Sequence, residues 1–87
     1  MTTEYHPIDC DRHSVLELLA MRRVEVTVES EDEGGALIRI DGRVVDVLTR
    51  AGAEYLIVTD SKDEPVSLRL DRIRQISQGD GQIIWRQ

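Results

Sequence analysis

The hydrophobic residues that follow position 11 have the spacing of a helix. Val15, Leu18 and Leu19 are separated by three or four residues and fall on one side of a helix. Asp11 precedes them, where its carboxylate can accept hydrogen bonds from the free amide groups of the first turn. The pattern therefore predicts a helix from about Arg12 to Met21, capped by Asp11, with the three apolar side chains facing the core.

Beyond the helix the apolar positions alternate, which is the period of a strand. Residues 24–29 alternate strictly and predict a first strand with one buried face, followed by a polar loop over 30–35. The alternation then resumes and changes phase at Val45, which indicates a bulge or a sharp bend. Asp41-Gly42 is also a strong signal for a tight hairpin turn. The pattern leaves both alternatives open.

Three further segments are rich in β-forming residues. The run over 54–59 predicts a strand buried on both faces, and residues 66–70 and 73–77 alternate or nearly so. Residues 83–85 can add a short segment at the edge of the sheet. One helix followed by about five short strands, with no crossover helices, predicts a mainly β fold. We expect a small five-stranded antiparallel barrel with the N-terminal helix over one open end.

The chain length allows a single domain. With 87 residues there is room for one small core and not for two. We divide the chain into an N-terminal arm over 1–10, the helix over 11–21, the strands over 24–78 and a C-terminal tail over 79–87. The N-terminus lacks a basic start, no run approaches the about 18 apolar residues of a membrane span, and the single cysteine allows no internal disulfide. We therefore expect a cytoplasmic protein with no membrane segment.

The acidic residues are concentrated at the beginning of the chain. The net charge is −6, from 17 acidic and 11 basic residues. Nine of the acids but only three of the bases lie in residues 1–33, so the first third carries the whole imbalance. A phosphate-binding site needs Lys and Arg, and the one Trp and two Tyr residues are too few for a platform that stacks bases. These features disfavour direct nucleic-acid binding and favour a positively charged protein partner, with simple solvation of a small domain as the alternative.

Two groups of residues near the start of the helix resemble chemical sites. His6, Cys10 and His13 have the spacing H-x3-C-x2-H, but a zinc site would need an aspartate as its fourth ligand, and such mixed sites are uncommon. We predict no metal and expect Cys10 to be a small buried residue. Ser14, His13 and Asp11 are the residue types of a nucleophilic triad, but neighbours on one helix do not point at each other in line. We predict neither catalysis nor a cofactor.

Four short segments, spread over residues 5–77, have a distinctive order and spacing. They are Tyr5-x-Pro7-Ile8-x-Cys10-Asp11, Leu16-Glu17-Leu18, Glu54-Tyr55-Leu56-x-Val58 and Leu68-Arg69-Leu70-Asp71-x-Ile73. Together they resemble the Rho-binding antiterminator family, which is known as Rof or YaeO. The resemblance implies an Sm-like fold, with a leading helix and a strongly bent five-stranded antiparallel barrel. It therefore favours the bend at Gly42 over the hairpin.

The same resemblance implies a function. Members of this family are non-enzymatic inhibitors of transcription termination factor Rho, a hexameric RNA-dependent helicase. They bind over the primary RNA-binding sites of its N-terminal domains, so that RNA cannot load. We therefore expect an acidic antiterminator that is a monomer when free, has Rho as its partner, and binds no nucleic acid itself. The alternative function is an Sm-like RNA-binding regulatory module.

The resemblance also assigns residues of this chain to the Rho-binding surface. They are Asp9, Asp11, His13, Ser14, Glu17 and Arg50. The chain departs from the family pattern at Arg12, His13 and Ser14, where acidic and aromatic side chains are usual. The acids at 31–33 either compensate for this departure or only solvate the loop. We expect Glu17 to face solvent because it lies outside the predicted apolar side of the helix.

Overall fold

The computed structural model describes residues 4–87, so the first three residues of the arm lie outside the described residues. One helix precedes six strands. The elements are α1 (Cys10–Arg22), β1 (Glu25–Glu31), β2 (Leu37–Arg50), β3 (Ala53–Thr59), β4 (Pro65–Arg69), a 3-10 turn (Leu70–Arg72), β5 (Ile73–Ser77) and β6 (Ile83–Arg86). The predicted class, mainly β with one N-terminal helix, is confirmed. Over residues 4–87, no helix is both long and apolar enough to cross a membrane.

The strands form one antiparallel sheet in the order β4-β3-β2-β1-β5-β6. Strand β6 is the edge segment expected at residues 83–85, so the segment predicted as a C-terminal tail contains a sixth strand that pairs with β5. Within residues 4–87 no ladder joins β4 to β6. The expected five-stranded barrel is therefore a curled six-stranded sheet that stays open between its two edge strands.

Strand β2 is continuous and bent, as the resemblance implied. Its first half pairs with β1 and its second half pairs with β3, so the sheet turns over within this one strand. At Gly42 the turn brings two strands so close that an added Cβ would lie 2.2 Å from the carbonyl oxygen of Thr59. A register shift between Val44 and Asp46 leaves Val45 as a bulge, which is the phase change seen in the sequence. The hairpin alternative is excluded because the strand continues on both sides of Gly42.

The cap of α1 is Asp9, and the prediction of Asp11 is wrong. Asp9 has an extended backbone, and its carboxylate accepts a hydrogen bond from the backbone N–H of Arg12 at 2.8 Å. The helix therefore begins at Cys10, and Asp11 lies inside its first turn, where a carboxylate still interacts favourably with the helix dipole. Cys10 is the first residue of the helix and is exposed, and not buried as expected.

The buried side of α1 also differs from the prediction. Leu16 and Leu19 are buried, whereas Val15 and Leu18 are exposed. Leu19 is buried as expected, so the prediction is wrong for Val15 and Leu18, whose place in the core is taken by Leu16. In this orientation the helix contacts β6, where the indole N–H of Trp85 donates a hydrogen bond to the carbonyl oxygen of Arg12 at 3.0 Å.

The core lies between α1 and the concave face of the sheet. It contains side chains from the helix, from all strands and from the 3-10 turn, namely Leu16, Leu19, Val26, Val28, Val44, Leu56, Val58, Leu68, Leu70, Ile73, Ile76 and Trp85. Leu56, Ile57 and Val58 are buried in succession, which confirms that β3 is covered on both faces. The helix packs chiefly against β2, whereas β3 receives polar contacts from the N-terminal arm.

Candidate functional site: the first turns of the helix

Five of the six predicted site residues lie on the cap and the first two turns of α1. Asp9, Asp11 and Ser14 are exposed, and the side chain of Glu17 is 58% exposed, as expected. His13 is half-buried beside the sheet. The structure therefore places the helical part of the predicted surface on one accessible end of the molecule.

Arg50, the sixth predicted residue, lies apart from this cluster. It is at the end of β2, where its guanidinium stacks over the ring of Tyr55, 5.1 Å from the centroid. It also donates a hydrogen bond to the hydroxyl of Ser67 at 3.4 Å. Its polar contacts are thus with β3 and β4, so it does not act together with the helix residues in the free chain.

His13 connects the helix to β3. Its Nε2 is 2.7 Å from Oε2 of Glu54, and its Nδ1 is 3.4 Å from Oε1 of Glu17. A neutral imidazole donates from one nitrogen only, so donation to both carboxylates requires the protonated ring. His13 therefore bridges an acid of the exposed surface and an acid of β3, and its nitrogens do not face Ser14 as a catalytic triad would require.

The N-terminal arm is attached to the same glutamate. The hydroxyl of Tyr5 donates a hydrogen bond to Oε1 of Glu54 at 3.1 Å, so the two oxygens of Glu54 serve Tyr5 and His13. Burial, and then the hydrogen bond with Glu54, raise the pKa of Tyr5 well above its usual range, so this phenol keeps its proton. The arm is thereby held against β3.

A nearly buried ion pair completes the attachment of the arm. The guanidinium of Arg69 donates to both carboxylate oxygens of Asp71, at 3.0 and 2.6 Å, and their side chains are only 12% and 8% exposed. Asp71 also accepts the backbone N–H of His6, and Arg69 donates to the carbonyl oxygen of Glu4. Burial raises the pKa of Asp71, but the hydrogen bonds from Arg69 and His6 outweigh it and hold the pKa below its usual range.

Arg12 is a basic residue among the acids at the start of α1, and its side chain is bound by other residues of the chain. Its guanidinium pairs with Asp9 and donates from Nε to the carbonyl oxygen of Arg86 at 2.9 Å. The backbone and side chain of Arg12 hold the pKa of Asp9 below its usual range. The contact of β6 with the start of the helix was not predicted, because the single tryptophan, Trp85, was its only sign in the sequence.

No metal site is formed by the residues that the structure describes, 4–87. His13 faces carboxylates on α1 and β3, and the backbone of His6 is bound to Asp71. What the site offers chemically is a surface: exposed carboxylates on a helix that packs against β2 and is hydrogen-bonded to β3 through His13 and to β6 through Arg12.

The polar contacts of the arm join the segments that carried the sequence resemblance. Tyr5 comes from the first segment, Glu54 from the third, and Arg69 and Asp71 from the fourth. The fold and the site thus define a small mainly β domain that presents exposed carboxylates on a helix, which is a surface suited to a binding partner.

The comparisons with known proteins identify the family. A family model described as "Modulator of Rho-dependent transcription termination (ROF)" matches residues 7–83. "Protein rof" of Escherichia coli (strain K12) and "Protein rof" of Shigella flexneri are each 32% identical to this chain over 77 residues, which covers 88% of the chain and 86% of each relative. The chain belongs to the Rof family and is a regulatory modulator of Rho-dependent transcription termination.

Proposed function

We propose that this chain inhibits Rho by occupying the primary RNA-binding site of its N-terminal domain, so that RNA cannot load. The observation that carries the proposal is the set of exposed carboxylates on the first turns of α1, on a chain whose net charge is −6. A site that binds RNA phosphates is basic, and carboxylates held on a rigid helix are complementary to it. The protein would act without catalysis, as a monomer, in the cytoplasm where Rho works.

The carboxylates of the surface differ in how they are engaged. Asp9 caps the helix and pairs with Arg12, so its charge is already compensated. Glu17 has only the longer contact to His13, and Asp11 is exposed in the first turn. We therefore assign the main attraction for a basic partner to Asp11 and Glu17, with Ser14 and His13 between them, and treat Arg50 as a separate contact.

The alternative, an Sm-like RNA-binding module, receives no support from the aromatic residues. The ring of Tyr5 lies under Arg69, the ring of Tyr55 lies under Arg50, and Trp85 is buried. These are all the aromatic residues of the chain. A platform for single-stranded bases needs exposed rings, so the covered rings favour a protein partner over RNA.

A charge reversal at Glu17 tests the proposed surface. Glu17→Lys should change the free energy of unfolding by no more than about 0.5 kcal/mol, because the side chain is exposed. The reversal should weaken inhibition of Rho by about 2 kcal/mol, or roughly thirtyfold in the concentration required, because a cation would face a basic groove. The assay measures displacement of labelled RNA from Rho at increasing concentrations of each variant.

Glu33→Lys is the matched control, with the same change of charge in the exposed loop between β1 and β2. It should inhibit like the wild-type chain, apart from a small effect of net charge that added salt removes, since screening acts over about 8 Å at physiological ionic strength. Full inhibition by Glu17→Lys together with loss of inhibition by Glu33→Lys would move the interface from the helix to this loop.

A further inference from the structure

Three apolar side chains of α1 are exposed to solvent. Val15 is 38%, Leu18 is 42% and Met21 is 81% exposed, although the neighbouring Leu16 and Leu19 are buried in the core. We refer to Val15, Leu18 and Met21 as the apolar stripe. These residues were expected in part to face the core, and their exposure leaves an unpartnered hydrophobic surface on the helix.

The apolar stripe is in register with the candidate binding residues. Val15 follows Asp11, Leu18 follows Ser14, and Met21 follows Glu17, each by four positions. Residues four positions apart are neighbours on a helix surface. The polar residues of the first turns and the apolar residues of the next turns therefore form one continuous face.

A hollow beside this face adds a place for a partner side chain. It lies between α1 and β2 and is lined by Glu17, Ala20 and Met21 from the helix and by residues 45–47 of the bulged strand. Interfaces draw most of their binding energy from a few apolar anchors in such depressions, surrounded by polar groups. The face of α1 thus has the composition of an interface and not only that of a solvated helix.

Sites for single-stranded nucleic acid combine two chemistries, cationic groups that bind phosphates and aromatic or apolar surfaces on which bases stack. We propose that the apolar stripe covers the base-stacking surface of Rho's RNA-binding site while Asp11 and Glu17 face its phosphate-binding groups. This inference rests on the proposed function and adds that the chain replaces both the charge and the bases of the RNA. The attraction is then only partly electrostatic.

A second copy of the chain is a less suitable occupant of this face. Each copy carries a net charge of −6, and acids adjoin the stripe at Asp11 and Glu17, so two copies would repel each other. Arg22 also lies on the exposed side of the last turn, but one cation does not balance this repulsion. A basic partner with an apolar platform satisfies both components of the face.

The test compares one double variant and one single control variant with the wild-type chain. Each chain competes with labelled RNA for Rho, at low and at physiological salt. Leu18→Gln combined with Met21→Gln keeps good helix formers at exposed positions, so the chain should remain folded by circular dichroism. This variant should require a concentration about tenfold or more higher to displace RNA, with the same salt dependence as the wild-type chain. Leu37→Gln is the control, because Leu37 is 61% exposed at the start of β2, outside the stripe, and its replacement should change nothing.

The outcomes separate this inference from the proposed function. Displacement of RNA by the wild-type chain and equally by the double variant would overturn the inference alone. Failure of the wild-type chain to displace RNA would overturn the proposed function and the inference with it. A dimer of the free wild-type chain in sedimentation, lost in the double variant, would assign the stripe to a second copy and also overturn the inference.

Discussion

Replacing Gly42 by alanine is expected to destabilise the chain by about 3 kcal/mol, the upper part of the range for overpacked sites. The added Cβ would lie 2.2 Å from the carbonyl oxygen of Thr59 and 2.8 Å from Cγ1 of Val58, and the first of these is backbone that cannot rotate away. Gly42 has no positive φ, so the effect arises from the missing side chain and not from backbone freedom. Chemical denaturation of Gly42→Ala against the wild-type chain measures the loss.

Gly79→Ala is the control for this substitution. Gly79 also lacks a positive φ, and an added Cβ would meet nothing within 4 Å. Its stability should stay within about 0.5 kcal/mol of the wild-type value. If Gly42→Ala were as stable as Gly79→Ala, the bent strand β2 would not approach Thr59 of β3 as closely as the structure shows.

Asp71→Asn is expected to cost about 3 kcal/mol of stability, because it leaves the nearly buried guanidinium of Arg69 without its counter-charge. The same substitution weakens the hold on the arm, since Asp71 also accepts the backbone N–H of His6. Glu25→Gln, which breaks the exposed pair with Arg43 at 3.0 Å, is the control and should cost less than about 1 kcal/mol. Equal effects of the two substitutions would show that the Arg69 pair does not secure the arm.

The Arg69 pair also predicts how stability depends on pH. The pKa of Asp71 is lower in the folded chain than in the unfolded one, so the unfolded state binds more protons as the solution is acidified. The contribution of Asp71 is therefore complete above its unfolded pKa of about 4 and is lost as the pH falls through the lower folded pKa. Denaturation curves between neutral and acid pH should show a smaller acid-side loss for Asp71→Asn than for the wild-type chain.

The strands could be predicted because their signals are local. The alternation over 24–29 is strand β1, and the phase change at Val45 is the bulge of β2. The buried side of the helix could be predicted only in part: Leu19 is in the core as expected, but Val15 and Leu16 both lie at helical spacing from it. The choice between them depends on tertiary packing, such as the contact of the helix with Trp85, which no local pattern contains.

The candidate site, too, could be predicted from the sequence only in part. Asp9 and Asp11 are both capping residues by type, and only the backbone conformation at Asp9 decides between them. Glu54 was visible as part of a sequence motif, but its position between Tyr5 and His13 depends on pairs that are 49 and 41 residues apart. The sequence therefore indicated candidate residues, and the tertiary contacts determine which of them are exposed and which are bound to other parts of the chain.

We propose that this chain lowers the affinity of Rho for RNA without binding RNA itself. The most direct measurement is the fluorescence anisotropy of a labelled C-rich RNA at physiological salt, titrated with the chain in the presence and in the absence of Rho. We predict that the chain releases the RNA from Rho and leaves the anisotropy of RNA alone unchanged. Binding of the isolated chain to the RNA as tightly as Rho binds it, or an unchanged affinity of Rho for the RNA, would contradict this account.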